Sequence, residues 1–229
     1  MDAYVDQIES IREPDGLWHP SSISSPCDRK SIYEYRGAEK EPLTARTKRI
    51  FRVGHILHEF IQTAIEADPS VRGFWPEVPI VAGPLMVTGH ADGLLEHESG
   101  EYEVLEFKTI KSTAFRYNDL PKADHILQVS LYLKVLREYG TVLPSVTLPP
   151  LGDMLRRARV VYVSKDDLQI GEYPILWSEA RNRQIEDKLV VLNAHRLEGT
   201  LPDRLPASGA KRHYLCGYCP FQTQCWEGD

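Results

Sequence analysis

The apolar positions of this chain change period several times, and each change marks an element. From about Thr44 to Ala67 they recur at helical spacing (Ile50, Val53, Leu57, Phe60 or Ile61, Ala64), with Pro69 just beyond the predicted helix. Residues 73–82, 84–96 and 101–111 are short runs rich in Val, Leu, Ile and aromatics, separated by Ala82-Gly83-Pro84 and Ser99-Gly100. They predict three successive strands in an antiparallel meander. Helical spacing returns over 123–139, with Ile126, Val129 or Ser130, Leu133 and Leu136 inward. Residues 141–153, with three prolines, read as a loop or an insertion, and Arg159-Val160-Val161-Tyr162-Val163 as a buried strand for which 170–176 is a candidate partner. A further helix runs from Ser178 to about Leu197 and stops at Gly199. At the other end, residues 1–20 read as loosely ordered, and Ser24 or Ser25 caps a helix with Pro26 in its first turn that stops near Gly37. The order of elements predicts an α/β fold: a mixed central β-sheet flanked by helices, in one domain over residues 1–229 with its core at about 44–198.

Composition adds little to this picture and charge adds a constraint. Hydrophobic residues at 42% and charged residues at 26% are ordinary for a globular protein. A formal net charge of −6 argues against a generic coat for nucleic acid, though not against a local basic groove. Three basic runs are candidates: Arg46, Lys48, Arg49 and Arg52; Lys108, Lys111, Arg116 and Lys122; Arg156, Arg157 and Arg159. Taken singly, each reads as solvated surface charge. The N-terminus lacks the basic and apolar regions of a signal peptide, and no stretch approaches the roughly 18 apolar residues of a membrane span. The expectation is a soluble intracellular, cytoplasmic protein.

The four cysteines change the picture more. Cys27 stands alone, whereas Cys216, Cys219 and Cys225 close the chain in Cys-Gly-Tyr-Cys-Pro and its sequel. A chain of this length needs no disulfide staples, and reduced intracellular cysteine clusters usually bind metal. Four thiolates suit an iron–sulfur cluster or a structural zinc, and both remain open on the residues alone. Either would tie a cysteine-rich tail (203–229) back to the N-terminal segment (21–37), so the chain ends would have to meet.

Between the cysteines lie four short motifs: Gly54-His55-Ile56-Leu57-His58-Glu59, Gly89-His90-Ala91-Asp92-Gly93, Glu106-Phe107-Lys108 and Gln128-Val129-Ser130-Leu131-Tyr132. Alternation along a strand points Glu106 and Lys108 to one face and Leu105, Phe107 and Thr109 to the other. Buried charges are costly unless something binds them, and a divalent cation held by Asp92 and Glu106 would relieve that cost. Hard oxygen ligands suit Mg²⁺ or Mn²⁺. Lys108 beside such an ion would orient a water and offset charge developing on a phosphate. Gln128 and Tyr132, four apart, share a helix face that reaches the sheet. Any one motif has an ordinary structural reading, such as a surface ion pair for Glu-x-Lys; their joint order and spacing carry the signal.

In these residues the chain resembles the RecB-like branch of the PD-(D/E)xK nucleases, in the iron–sulfur subset that includes the AddB nuclease domain, CRISPR-associated RecB-like exonucleases and phage-encoded relatives. The resemblance covers about residues 21–226. It implies a restriction-endonuclease-like sheet, with metal contacts from His58, Asp92, Glu106 and the Phe107 carbonyl. It also implies a catalytic set of Asp92, Glu106, Lys108, Gln128 and Tyr132. Cys27, Cys216, Cys219 and Cys225 match its cluster ligands, most often around [4Fe–4S]. The implied activity is Mg²⁺- or Mn²⁺-dependent exonucleolytic hydrolysis of single-stranded DNA, in recombination, repair, phage replication or CRISPR adaptation, with a helicase or integrase as a partner. The alternatives are a catalytically silent module that grips DNA ends and a structure-specific endonuclease. The Gly-x-x-x-His spacing picks His58 over His55, which projects elsewhere around the helix.

Overall fold

A computed structural model describes residues 15–117, 119–207 and 211–227. Its centre is a five-stranded mixed sheet in the order β1-β2-β3-β6-β7. The strands are β1 (Gly73–Ala82), β2 (Val87–Glu96), β3 (Tyr102–Ile110), β6 (Leu155–Ser164) and β7 (Ile170–Leu176). The first three form the antiparallel meander that the turn residues between them dictate. β3 then pairs with β6 in parallel, and β7 returns antiparallel to β6. A parallel pair needs a long crossover, and residues 111–154 supply it. They hold α4 (Ser112–Tyr117), α5 (Ala123–Tyr139) and a minor hairpin of β4 (Thr141–Val142) with β5 (Thr147–Leu148). Of the two readings of 141–153 the insertion holds, and it buries Leu143, Leu148 and Leu151 in the core.

Helices cover both faces. On one side α3 (Ala45–Glu66) lays Leu57, Ile61 and Ile65 on Leu105, Phe107, Val161 and Val163. On the other, α5 and α6 (Glu179–Glu198) complete the larger core with Leu131, Leu133, Leu136, Ile185 and Leu192. The caps are those the local sequence specifies. The Thr44 side chain accepts from Thr47 N at 3.2 Å, that of Ser178 accepts from Arg181 N at 3.4 Å, and left-handed Gly199 ends α6.

Three local expectations are corrected. The inner face of α3 is Gly54, Leu57, His58, Ile61 and Ile65; Ile50, Val53 and Phe60 face outward with Ala64. Apolar residues encircle this helix, so periodicity alone does not choose its face. Near the start, Pro20 opens a single turn, α1 (Pro20–Ile23), and the next helix, α2 (Asp28–Tyr35), is capped at Cys27 rather than at Ser24 or Ser25. The Ser25 hydroxyl instead accepts from Cys27 N at 3.3 Å, holding the chain extended where a helix was expected to begin. Residues 15–20 are built into the fold. Trp18 is fully buried, its backbone bridges Met86 and Thr88, and its indole donates to Asn193 at 3.1 Å. The expectation for residues 1–14 lies outside the described residues.

Both ends of the described chain meet. Glu41 N donates to Pro220 O at 2.8 Å, Thr223 N donates to the Glu41 carboxylate at 2.8 Å, and Tyr33 stacks on Phe221. Arg29 and Arg36 donate to the carbonyls of Pro202 and Thr200. The tail carries α7 (Gln222–Glu227).

Candidate functional site

The site is a fork in the sheet. The β2–β3 ladder stops at Gly93↔Leu105, whereas β2 stays paired with β1 beyond that point. Residues two apart on a strand normally share a face, yet here Ala91 packs in the larger core while Gly93 faces Phe74 and Leu105 of the smaller one. Opposite the reversal, Glu77 has left-handed backbone (φ 50°). The twist turns the Asp92 carboxylate into the fork, where its Oδ2 accepts from Phe107 N at 2.6 Å. A residue's N–H and C=O leave a strand on the same edge, so the Phe107 carbonyl faces the fork as well.

His58 reaches the fork from α3. Its Nδ1 is 3.6 Å from Asp92 Oδ1, and its ring meets the edge of Phe107. Gly54, one turn earlier, keeps α3 close, since a Cβ there would stand 3.2 Å from Thr109 Oγ1. Burial disfavours the charged imidazole, but Asp92, with help from Glu106, outweighs it and raises the His58 pKa. His55 is exposed on the outside of the helix. Gln62, one turn further along α3, donates to the Asp92 carbonyl at 2.8 Å and to Glu77 at 3.1 Å, an anchor that no sequence motif announced.

From the opposite face of β3, Glu106 and Lys108 point toward α5. Glu106 is 3% exposed. Its Oε1 lies 2.6 Å from the Lys108 ammonium and accepts from Gln128 Nε2 at 2.9 Å. Gln128 works as a splint, because its Oε1 accepts from Lys108 at 3.1 Å and its amide also donates to the Tyr132 hydroxyl at 2.6 Å. Burial, then the Asp92 charge, push the Glu106 carboxyl up to about 7, against the opposing pull of Lys108 and His58. Burial works against the Lys108 ammonium, yet Glu106 and Asp92 prevail and raise its pKa. The second carboxylate oxygen of Glu106, Oε2, is buried and has no hydrogen-bond partner.

A buried, unpartnered carboxylate oxygen beside a second acid is a cost that a hard cation would remove. The oxygen donors at the fork fit Mg²⁺ or Mn²⁺ in kind. They are not closed around one point, however: no group of three His, Cys, Asp or Glu side chains among the described residues forms a ready metal site. Asp92 spends its oxygens on Phe107 N and His58, and Glu106 spends one on Lys108 and Gln128.

The cysteines line a cavity elsewhere, and they too are not closed into a ready metal site among the described residues. Cys27, Cys216, Cys219 and Cys225 are free, half-buried thiols lining one cavity of ≈ 320 Å³. Burial is the main reason that Cys27 and Cys219 are held above the usual thiol range. The same cavity opens onto Lys108, Gln128, Asp124 and His125. His125, which the sequence reading passed over, belongs to the surroundings of the site. Of the basic runs, Arg157 and Arg159 are committed to the fully buried Glu103, at 3.3 and 3.0 Å, so that run serves the fold. No described helix is long and apolar enough to cross a membrane.

Comparison with solved structures finds this architecture elsewhere. The crystal structure of SSO0001 superposes with a TM-score of 0.58 at 20% identity, covering 97% of this chain and 91% of that one. An alkaline exonuclease, LHK-Exo from Laribacter hongkongensis, gives a TM-score of 0.52 at 15% identity over 81% of this chain and 90% of that one. At such identities the likeness is one of fold. No curated protein matches the sequence significantly. The family match is by sequence and spans residues 20–226, from the turn before Cys27 to the residue after Cys225. With a mixed α/β sheet forked at Asp92 and Glu106, and that match over nearly its whole length, the chain belongs to the PD-(D/E)XK nuclease superfamily.

Proposed function

We propose that this protein is a Mg²⁺- or Mn²⁺-dependent deoxyribonuclease that degrades DNA from an end, preferring single strands. The observation that carries the reading is the Glu106 carboxylate, buried with one oxygen unpartnered beside the fork that holds Asp92. Its ion pair with Lys108 leaves that second oxygen unsatisfied in the interior, a cost that a cation site would account for. Asp92, Glu106, the Phe107 carbonyl and His58 would hold the ion. When bound, a divalent cation supplies a water activated for attack and offsets charge on the phosphate.

The chain's own groups do the rest. Lys108, clamped between Glu106 Oε1 and Gln128 Oε1, presents an ammonium that orients the attacking water and donates to a phosphate oxygen. Tyr132, 2% exposed, fixes Gln128 from below. His58 and Phe107 N hold Asp92 in the fork. Restriction to DNA ends, the preference for single strands and a helicase or integrase partner come from the RecB-like resemblance. Recombination, repair, phage replication and CRISPR adaptation are the settings it fits.

The four thiols are proposed to bind one [4Fe–4S] cluster. A soft, all-sulfur donor set around a single cavity supports a thiolate-bound cofactor, and such a group would pin a tail that already docks through Glu41 and Phe221. The function is tested by digesting end-labelled single- and double-stranded DNA, linear and circular, with and without Mn²⁺. Loss of linear single strands with circles spared is expected. Equal loss of circles indicates an endonuclease, and binding without cleavage indicates a silent end-binding module. Iron analysis of anaerobically purified protein tests the cluster, zinc without iron being the contrary result.

A further inference from the structure

His125 lines the same cavity as Lys108 and Gln128. It stands three residues before Gln128 and seven before Tyr132, so it extends their stripe one turn toward the start of α5. Beneath it, Tyr162 on β6 is paired with Lys108 across the parallel ladder. The His125 and Tyr162 rings are 5.6 Å apart. His125 therefore lies over the sheet face that carries Lys108, one strand away.

The hydrogen bonds around it offer a place for its proton on the cavity side. Lys122 N, which can only donate, donates to the Tyr162 hydroxyl at 3.0 Å. The hydroxyl keeps one hydrogen of its own, and His125 Nδ1 lies 2.7 Å away. The phenol can give that hydrogen to Nδ1, the arrangement in which His125 is a neutral imidazole with its proton on Nε2. Burial and then the Lys108 ammonium disfavour the imidazolium and hold this group down at about 4. Asp124 Oδ2, at 3.9 Å from Nε2, is too distant to accept that proton in a hydrogen bond. An Nε2–H on the wall of the cavity that Lys108 also lines, within the first turn of a helix, is a donor suited to an anion.

We propose that His125, as a neutral Nε2–H donor, contacts a non-bridging oxygen of the DNA phosphate held beside Lys108. This rests on the nuclease reading above and adds a catalytic residue to it. No proton is transferred by His125: the Nε2–H bond stays intact, and the hydrogen bond strengthens as charge builds on the phosphate oxygen. A cationic histidine so near Lys108 would cost more to bury than a neutral one.

The test is single-turnover cleavage of a single-stranded oligonucleotide with Mn²⁺, from pH 6 to 9, on the parent, His125→Phe, His125→Gln and Tyr162→Phe. His125→Phe keeps the ring over Tyr162 but has no donor, and its rate should fall on the order of 10²-fold. His125→Gln returns an N–H at similar reach and should recover most of that loss. Tyr162→Phe releases the tautomer and should give an intermediate rate. The pH profile of His125→Phe should keep the parent's shape, whereas loss of one limb would mean a general acid or base. Replacing the contacted oxygen by sulfur should slow the parent and leave His125→Phe no slower than it already is. His125→Phe at the parent rate, or a sulfur effect undiminished in that variant, overturns the proposal while leaving the nuclease reading intact. A folded parent that cleaves no nucleic acid overturns both.

Discussion

Replacing Lys108 by alanine separates chemistry from folding. The ammonium is 2.6 Å from Glu106 Oε1 and 3.1 Å from Gln128 Oε1, with 24% of its side chain exposed. Removing one partner of a buried ion pair costs about 3–5 kcal/mol. Two features of this site reduce that figure. The pair is open to water on the lysine side, and Glu106 already sits at about 7 with Lys108 present. Without Lys108 its pKa rises further, so the carboxyl takes up a proton at neutral pH rather than remaining as a bare buried charge. A loss of about 2 kcal/mol is expected near pH 7, growing as pH rises and protonation becomes costlier. The effect on chemistry should be larger. Loss of one preorganised donor typically costs on the order of 10²–10³ in rate, or about 2.7–4 kcal/mol of barrier. Urea denaturation at pH 7 and 9, Mn²⁺ calorimetry and single-turnover cleavage on the same variant measure all three. Retained Mn²⁺ binding with a collapsed rate is the expected pattern. An unchanged rate, or stability loss without any dependence on pH, would refute the coupling of Lys108 to Glu106 and leave an ordinary ion pair.

Asp92→Ala and Glu106→Ala should each abolish Mn²⁺-dependent cleavage while near-ultraviolet circular dichroism stays that of the parent, since each removes a hard oxygen donor from the fork; cleavage at parent level by either would move the active site elsewhere. Cys27→Ala should lower iron content and melting temperature together, because the proposed cluster joins both ends of the chain; an iron-loaded, equally heat-resistant variant would contradict the staple. The His125 pKa is about 4 in the folded protein, against 6.5 for an ordinary solvated histidine. Between those values the unfolded chain binds a proton that the folded one refuses, so this contribution is complete above about pH 6.5 and is lost as pH falls toward 4. It amounts to at most about 3 kcal/mol. The parent should therefore lose more stability than His125→Gln between pH 7 and pH 4.5 by chemical denaturation, and parallel losses would show that His125 is solvated.

What local sequence determines here is whatever depends on neighbours along the chain. Thr44, Ser178 and Gly199 mark helix ends because capping is a contact within one turn. Glu106 and Lys108 share a face because strands alternate, and Gln128 and Tyr132 share one because helices return every three to four residues. His58, Asp92, Glu106, Lys108, Gln128 and Tyr132 could be named from the sequence for this reason, and they lie at or beside one fork. Other features needed the folded chain. The helix of residues 45–66 carries apolar side chains all round, so only packing on Leu105 and Phe107 decides that Leu57 and Ile61 face in while Phe60 faces out. Trp18 looks like part of a loose terminus until Met86, Thr88 and Asn193 surround it. His125 has no motif of its own; its tautomer depends on Tyr162, 37 residues later. The face reversal at Asp92 and the placing of Cys27 on one cavity with three thiols from the far end of the chain also need partners distant in sequence. Such contacts form only after loop closure has been met by burial elsewhere, and no local pattern encodes which distant residues will meet.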